Sequence, residues 1–210
     1  MILYMVPVAP NPTKVMLYLA EKSTAGAPIE IDTELVNTLK GEQNSPAHLQ
    51  RNPFGAVPVL EIAQGDYIFE SLPIIDYLET LNPVPSMWGG SAREIARARE
   101  LERIADLRIL DPLARYIHAT NSPIGLPAIP AVAEQAEGRL PVGFGYLNDV
   151  LSDGRPYLLG EEVSVADCTL QAAFQFMRFA KFDFVSEHEH VAAWDARYRE
   201  RPAAKSVLKF

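Results

Sequence analysis

Asn52-Pro53-Phe54-Gly55-Ala56-Val57-Pro58-Val59-Leu60, with Glu70-Ser71 ten residues further on, is the stretch from which the fold can be read. It predicts a loop that runs into a short apolar strand, a turn, a second strand and a helix start. A proline directly before Val59-Leu60 is unusual at the start of a strand, because proline cannot donate to a ladder. X-Pro is the linkage at which a cis bond is cheap, so Val57–Pro58 is expected to be cis. The N–H and C=O of Val57 are then free to pair with an extended peptide, as in strand addition. Ser71 at a helix N-terminus offers a hydroxyl and a backbone N–H to a carboxylate. Glu70 beside it can take an ammonium. The implied ligand is a small peptide with a free amine and carboxylate at one end.

Residues 1–80 mix strand and helix signals. Ile2 to Val6 is a short apolar strand, and Pro12 to Lys22 carries apolar residues at helical spacing. Ile29 to Val36 predicts a strand near its start. Pro46 to Arg51 is at most a short helix. Val59 to Ile62 and Tyr67 to Phe69 form a hairpin across Gln64-Gly65-Asp66, and Ser71 to Thr80 is a helix. The order β-α-β-α-β-β-α is thioredoxin-like. Residues 81–90 hold Asn82, Pro83, Pro85, Gly89 and Gly90 in close succession and read as a linker. In residues 91–210 strand signals vanish. Ala92 to Thr120 predicts one long amphipathic helix, Asn121 to Pro130 a loop, and Ala131 to Leu151 a helix interrupted near Pro141. Ser164 to Phe179 and Val191 to Arg199 are further helices, and Ser164 with Asp167 has capping-box spacing. The fold class is therefore an α/β thioredoxin-like domain followed by an all-α helical bundle.

This pattern resembles the cytosolic glutathione transferase superfamily over nearly the whole chain. The resemblance is carried by Val57-Pro58, by Glu70-Ser71 and by Tyr157-Leu158-Leu159-Gly160 with Ser164-Val165-Ala166-Asp167. At the first strand–helix turn, Ala9-Pro10-Asn11-Pro12 is similar to the Thr-Pro-Asn turn of the bacterial Nu class. The resemblance implies that glutathione is a substrate and that residues 1–80 bind it. It implies contacts from Asn11, Gln43, Val57, Pro58, Glu70 and Ser71, and from Asp106 reaching across to a partner subunit. The implied reaction is attack of glutathione thiolate on a small hydrophobic electrophile or on a disulfide. A homodimer is the expected assembly.

The family activates the thiol with a Tyr, Ser, Thr or Cys near the first turn. Here Ala9 stands at that position, so neither hydroxyl nor thiol is available there. A free thiol titrates near ~8.5, so activation is needed at neutral pH. Asn11 is the catalytic candidate, because its amide can hydrogen-bond the thiolate with help from the helix N-terminus. The structural alternative is that Asn11 is only the N-cap of the helix and Pro12 its first residue. Tyr4 and Thr13 rank below it. Arg108, Asp111, Arg115 and Tyr116 on the long helix are the candidates for the second-substrate cleft. Ala56 replaces a lysine often found before the proline motif.

Bulk properties bound the alternatives. The chain has 210 residues, 48% hydrophobic and 22% charged, enough for a sizeable core. One cysteine, Cys168, excludes an internal disulfide and suits a reducing cytoplasm. A net charge of −8 argues against a nucleic-acid surface. No run is long enough to span a membrane, and Met1–Val6 lacks the features of a signal peptide. His188-Glu189-His190 has no further ligand cluster, so no metal is expected. A rival from another class is a non-catalytic glutathione-binding or protein-interaction module of the same fold, which Ala9 makes credible.

Overall fold

In the computed structural model, which describes residues 1–210, β1 (Ile2–Met5) lies inside a four-stranded sheet of order β2-β1-β3-β4. Its run Ile-Leu-Tyr-Met has no alternation because both of its faces are covered. β2 (Asp32–Leu35) pairs with β1 in parallel, which requires a crossover, and α1 (Pro10–Thr24) is that crossover. β3 (Val59–Ala63) runs antiparallel to β1 and returns as β4 (Asp66–Phe69) through a turn with Gly65 at φ +78°. α2 (Pro46–Arg51) precedes β3, and α3 (Ser71–Leu81) follows β4. The expected strand in Ile29–Val36 forms at the end of that run rather than its start. Register against β1 decides this, since Val36 N–H continues the ladder to the Met5 carbonyl.

The second part of the chain is helical throughout. α4 (Ala92–Ile104) and α5 (Asp111–Thr120) are joined by Ala105–Leu110, which winds as a π-helix. The single long helix expected over 92–120 is thus one rod with a widened turn. At that turn Gly143 of α7 (Leu140–Leu151) comes so close that a Cβ would lie 2.6 Å from the Arg108 carbonyl oxygen. The break before α7 falls at Gly138–Arg139, after α6 (Pro130–Glu137). Pro141 sits in the first turn of α7, where its missing N–H is harmless. α8 (Val165–Phe179) runs through the centre of this domain and is buried from Val165 to Met177. α9 (Glu189–Arg199) and α10 (Pro202–Val207) complete the chain. No helix is long and apolar enough to cross a membrane.

The capping pair does more than close one helix. Asp167 is fully buried and accepts four hydrogen bonds: from Ser164 N–H (2.9 Å), Ser164 O–H (2.8 Å), Leu158 N–H (2.9 Å) and Trp194 Nε1–H (2.9 Å). Burial pushes its carboxyl up, and the four donors pull it back. One carboxylate thereby ties the loop at Leu158 and helix α9 to the start of α8.

α1 is fastened to both parts of the molecule. Lys14 Nζ meets Glu102 of α4 at 3.0 Å, and neither side chain has any exposure. Gln175 of α8 donates to the Thr13 hydroxyl at 2.9 Å, and Arg201 grips Glu21 with bonds of 2.8 and 2.7 Å. On its other side Lys22 pairs with Glu79 of α3 at 3.2 Å.

A buried pair is costly to break on one side only, because the remaining charge is stranded. Glu102→Leu should therefore destabilise the protein by about 3–5 kcal/mol, leaving Lys14 only the more distant Asp106 carboxylate, 3.8 Å away. Adding Lys14→Met should restore most of the loss. Urea midpoints for the two single variants and the double variant measure this; equal, additive losses would mean that the pair is not coupled.

Candidate functional site

The turn after β1 places the site. Val6-Pro7-Val8-Ala9 carries the chain into α1, whose N-cap is Ala9, with Pro10, Asn11 and Pro12 as the first three helical residues. Asn11 is thus not the N-cap, and its side chain makes no capping bond. The reason is local: Pro10 already has the fixed φ that suits the first helical position, so the helix begins one residue before Asn11. The Asn11 amide turns toward α3, where its Oδ1 accepts the Ser71 hydroxyl at 3.1 Å. With Oδ1 so engaged, Nδ2 has no protein partner. Ser71 likewise caps nothing, since it is the first residue of α3 and spends its hydroxyl on Asn11.

Two turns meet here, and each contains a non-glycine residue with positive φ. Val8 has φ +75° and Glu70 has φ +76°. For a β-branched residue such as Val8 this is a genuine outlier, at about 1–3 kcal/mol. Such backbone persists where the surroundings over-determine it.

Val57–Pro58 is cis. The N–H and C=O of Val57 make no hydrogen bond within the protein, because the β1–β3 ladder starts only at Val59. Gln43 stands nearby, with Oε1 buried and unpartnered. Glu70 is exposed beside Ser71. Asn11, Val57, Glu70 and Ser71 thus all lie at one end of the sheet, where β1 and β4 finish and β3 begins.

Next to Val57 opens a cleft of about 320 Å³ between the two domains. One wall is Val6–Pro10, and a second is Thr38, Leu39 and Gln43 with Gly55–Val57. The opposite wall is His118, Pro123, Ile124, Phe176 and Phe179 from the helical domain. It carries no Lys, Arg, Asp or Glu, and His118 is its one titratable group. His118 is half-buried against Phe176, with ring centroids 5.8 Å apart, and burial holds its pKa below the ordinary 6.5. Its Nδ1 lies 3.1 Å from the Ser122 hydroxyl, which leaves Nε2 without a protein partner.

The sequence candidates on the long helix lie elsewhere. Asp111 and Arg115 pair with each other at 3.0 Å and line a neighbouring groove beside Leu126, Pro127 and Ile129, whose one residue shared with the cleft is His118. Arg108 is exposed at the π-helical turn beside α7. Tyr116 packs edge-on against Phe182 and Phe184, at 5.0 and 5.4 Å. None of the four lines the interdomain cleft. Asp106 is held by Arg103 at 2.7 Å, with Lys14 at 3.8 Å, which accounts for its carboxylate within the chain. Tyr4 gives its hydroxyl to Glu61 at 2.7 Å, and burial together with that bond pushes its pKa up to about 12. The Thr13 hydroxyl is taken by Gln175. The residue that sequence reasoning missed is His118. Its only local signal was Ser122 one turn later, at a spacing that brings ring and hydroxyl together.

Comparison with known proteins agrees with this fold. Residues 9–81 match the family model for the glutathione S-transferase N-terminal domain, and residues 104–202 match that for the C-terminal domain. Glutathione S-transferase 2 of Saccharomyces cerevisiae is 31% identical over 214 aligned positions, covering 100% of this chain and 90% of the yeast protein. The crystal structure of Gtt2 from the same yeast superposes with a TM-score of 0.88 over 99% of this chain and 100% of that one, at 31% identity. A glutathione S-transferase domain-containing protein of Marinobacter aquaeolei gives 0.87 at 30% identity, over 97% of this chain and 100% of that one. Elongation factor 1-gamma 3 of Oryza sativa is 28% identical over 78% of this chain but only 39% of its own length.

The environment of His118 is itself testable. Its ring should titrate below the ordinary 6.5, since burial disfavours the imidazolium. Phe176→Ala, by admitting water, should move it back toward that value. Proton NMR of the ring against pH gives both numbers; a wild-type titration at or above the ordinary value would contradict the burial argument.

Proposed function

The chain belongs to the glutathione S-transferase family, and we propose that it is an enzyme joining glutathione, through its sulfur, to a small neutral hydrophobic electrophile. The observation that carries this reading is a single juxtaposition. The unpaired Val57 backbone lies at the edge of an apolar cleft whose one titratable group is His118. Residues 1–80 serve as the glutathione-binding domain, 81–90 as the linker and 91–210 as the helical domain.

In this reading the cysteinyl backbone of glutathione pairs with Val57 beside Pro58. The γ-glutamyl end meets Ser71, Glu70 and the free Nδ2 of Asn11, and Gln43 faces the glycine end. Asn11 is thereby moved from activating sulfur to holding the ligand, because its side chain is turned to Ser71 and away from the cleft. The thiol proton passes to His118 Nε2, directly or through a water. The sulfur electron pair then forms the C–S bond, and the leaving group departs with the electrons of its own bond. His118 is the right kind of base, since it is neutral at pH 7 and so able to accept a proton. Kinship with the Nu class rests on Pro10-Asn11 alone.

The charge-free cleft favours an apolar electrophile over glutathione disulfide, whose second half would bring charges with nothing to meet them. A cytoplasmic homodimer is the working assembly. The four residues Arg108, Asp111, Arg115 and Tyr116 lose their second-substrate role to Phe176, Phe179, Pro123 and Ile124. A second reading, the non-catalytic binding module, is favoured by Ala9 and by the elongation-factor relative.

Two measurements test the proposal. Calorimetry should show glutathione binding, and Ser71→Ala should weaken it by about 1–3 kcal/mol, because the Asn11 amide loses the hydroxyl that orients its Nδ2 toward the ligand's charged end. His118→Asn should lower turnover of a chromogenic aryl halide by ~10²-fold or more at neutral pH while leaving glutathione affinity near wild type. Wild-type turnover should fall on acidification, as His118 takes up a proton below the ordinary 6.5. Ala9→Thr supplies the missing hydroxyl, and it should restore part of the activity lost in His118→Asn. Binding without turnover across a panel of electrophiles would make the chain a binding module.

A further inference from the structure

We propose that His48 is a positioning residue: with Asn52 it grips the carbonyl oxygen of Ala56 and so aims the Val57 N–H at the ligand. This rests on the reading of Val57 as the group that pairs with glutathione.

His48 belongs to α2 and is 1% exposed. Its ring Nε2 lies 3.0 Å from the Ala56 carbonyl oxygen. A carbonyl can only accept, so Nε2 carries the proton and donates. Asn52, also 1% exposed, donates from Nδ2 to the same oxygen at 3.0 Å. Asn52 is fixed in turn: its Oδ1 accepts the Phe54 N–H at 3.1 Å, and its own N–H bonds the His48 carbonyl at 2.9 Å. The two donors therefore come from a small rigid unit built on the end of α2.

The carbonyl they hold belongs to the same planar peptide unit as the Val57 N–H. In a trans peptide C=O and N–H point in opposite directions, and the unit turns only as a whole. Anchoring the oxygen from the interior fixes the N–H on the cleft side, where Ala56 and Val57 form part of the wall. Two donors on the oxygen also polarise the amide, which strengthens the N–H as a donor. An ordinary loop peptide, held by neither effect, would have to be ordered by the ligand.

A second observation argues against a merely structural histidine. Nδ1 of His48 is buried with no hydrogen-bond partner. Packing alone would favour phenylalanine, which fills similar space without an orphaned nitrogen. What histidine adds at this site is the Nε2–H bond to Ala56.

The test uses the full chain. In wild type, NMR should detect a coupling across the hydrogen bond between His48 15Nε2 and Ala56 13C′. In His48→Phe, without any ligand, the Val57 15N resonance should move upfield and its order parameter fall. The dissociation constant for glutathione should rise by about fivefold to twentyfold, as expected for the loss of one bond within a cooperative set. His48→Gln, which can still donate, should recover most of the affinity. Absence of the wild-type coupling overturns the proposal, and that measurement stands even if His48→Phe fails to fold. So does a folded His48→Phe that binds glutathione as wild type does with the Val57 resonance unmoved. If wild type binds no glutathione while Val57 still responds to His48→Phe, the positioning stands and the glutathione reading falls.

Discussion

Helix α1 belongs to two domains at once, and the geometry of the molecule depends on that. It covers the sheet as the crossover between β1 and β2, yet Thr13, Lys14 and Glu21 find their partners in the helical domain. A lysine without exposure, such as Lys14, is tolerable only beside a carboxylate. Glu102 therefore has to sit where α1 puts Lys14, and this fixes α4 against the sheet domain. Thr13 with Gln175 and Glu21 with Arg201 repeat the constraint for α8 and for the turn before α10. The cleft lies in the angle left open by these ties, so its width is a property of α1 rather than of either domain.

Within that cleft the work is divided by chemistry. The sheet side offers backbone groups and polar side chains at turns, where a peptide with charged ends can be met by hydrogen bonds. The helical side offers Phe176, Phe179 and the half-buried His118. Charges stay at the edge, and the interior keeps one titratable ring. A low-polarity wall of this kind strengthens whatever electrostatic contact is made inside it, and it penalises any ligand that brings an unpaired charge.

Much of the fold was legible because its signals are local. Val57-Pro58, the Gly65 hairpin and the Ser164–Asp167 spacing each specify backbone within a few residues. The site was legible only where it is built from such turns. Asn11 could be read from sequence as a thiolate donor or as a helix cap, and the pull of Ser71 from sixty positions away, which turns its amide toward α3, is invisible in sequence. On the long helix, Asp111, Arg115 and His118 share one stripe, but Asp111 lies about two turns and Arg115 about one turn before the level of the cleft. Only the last position, His118, reaches the interdomain cleft. The depth at which a helix meets another domain depends on tertiary packing, and here on a π-helical turn that no periodicity announced. Tyr116 lies off that stripe and belongs to the aromatic cluster with Phe182 and Phe184.

Val8 and Glu70 carry a consequence for how such a chain changes over time. Each holds a side chain at a φ that glycine adopts freely, and each adjoins a residue of the site, Ala9 or Ser71. Glycine there would relieve the backbone while widening the range of conformations open to both turns. Selection for thermal robustness and selection for a well-aimed site therefore pull these two positions in opposite directions. A lineage screened by heat alone would drift toward relaxed turns and slacker ligand handling with its core intact. One screened by turnover would keep the strained residues and draw its tolerance of them from the buried ties of α1 and Asp167.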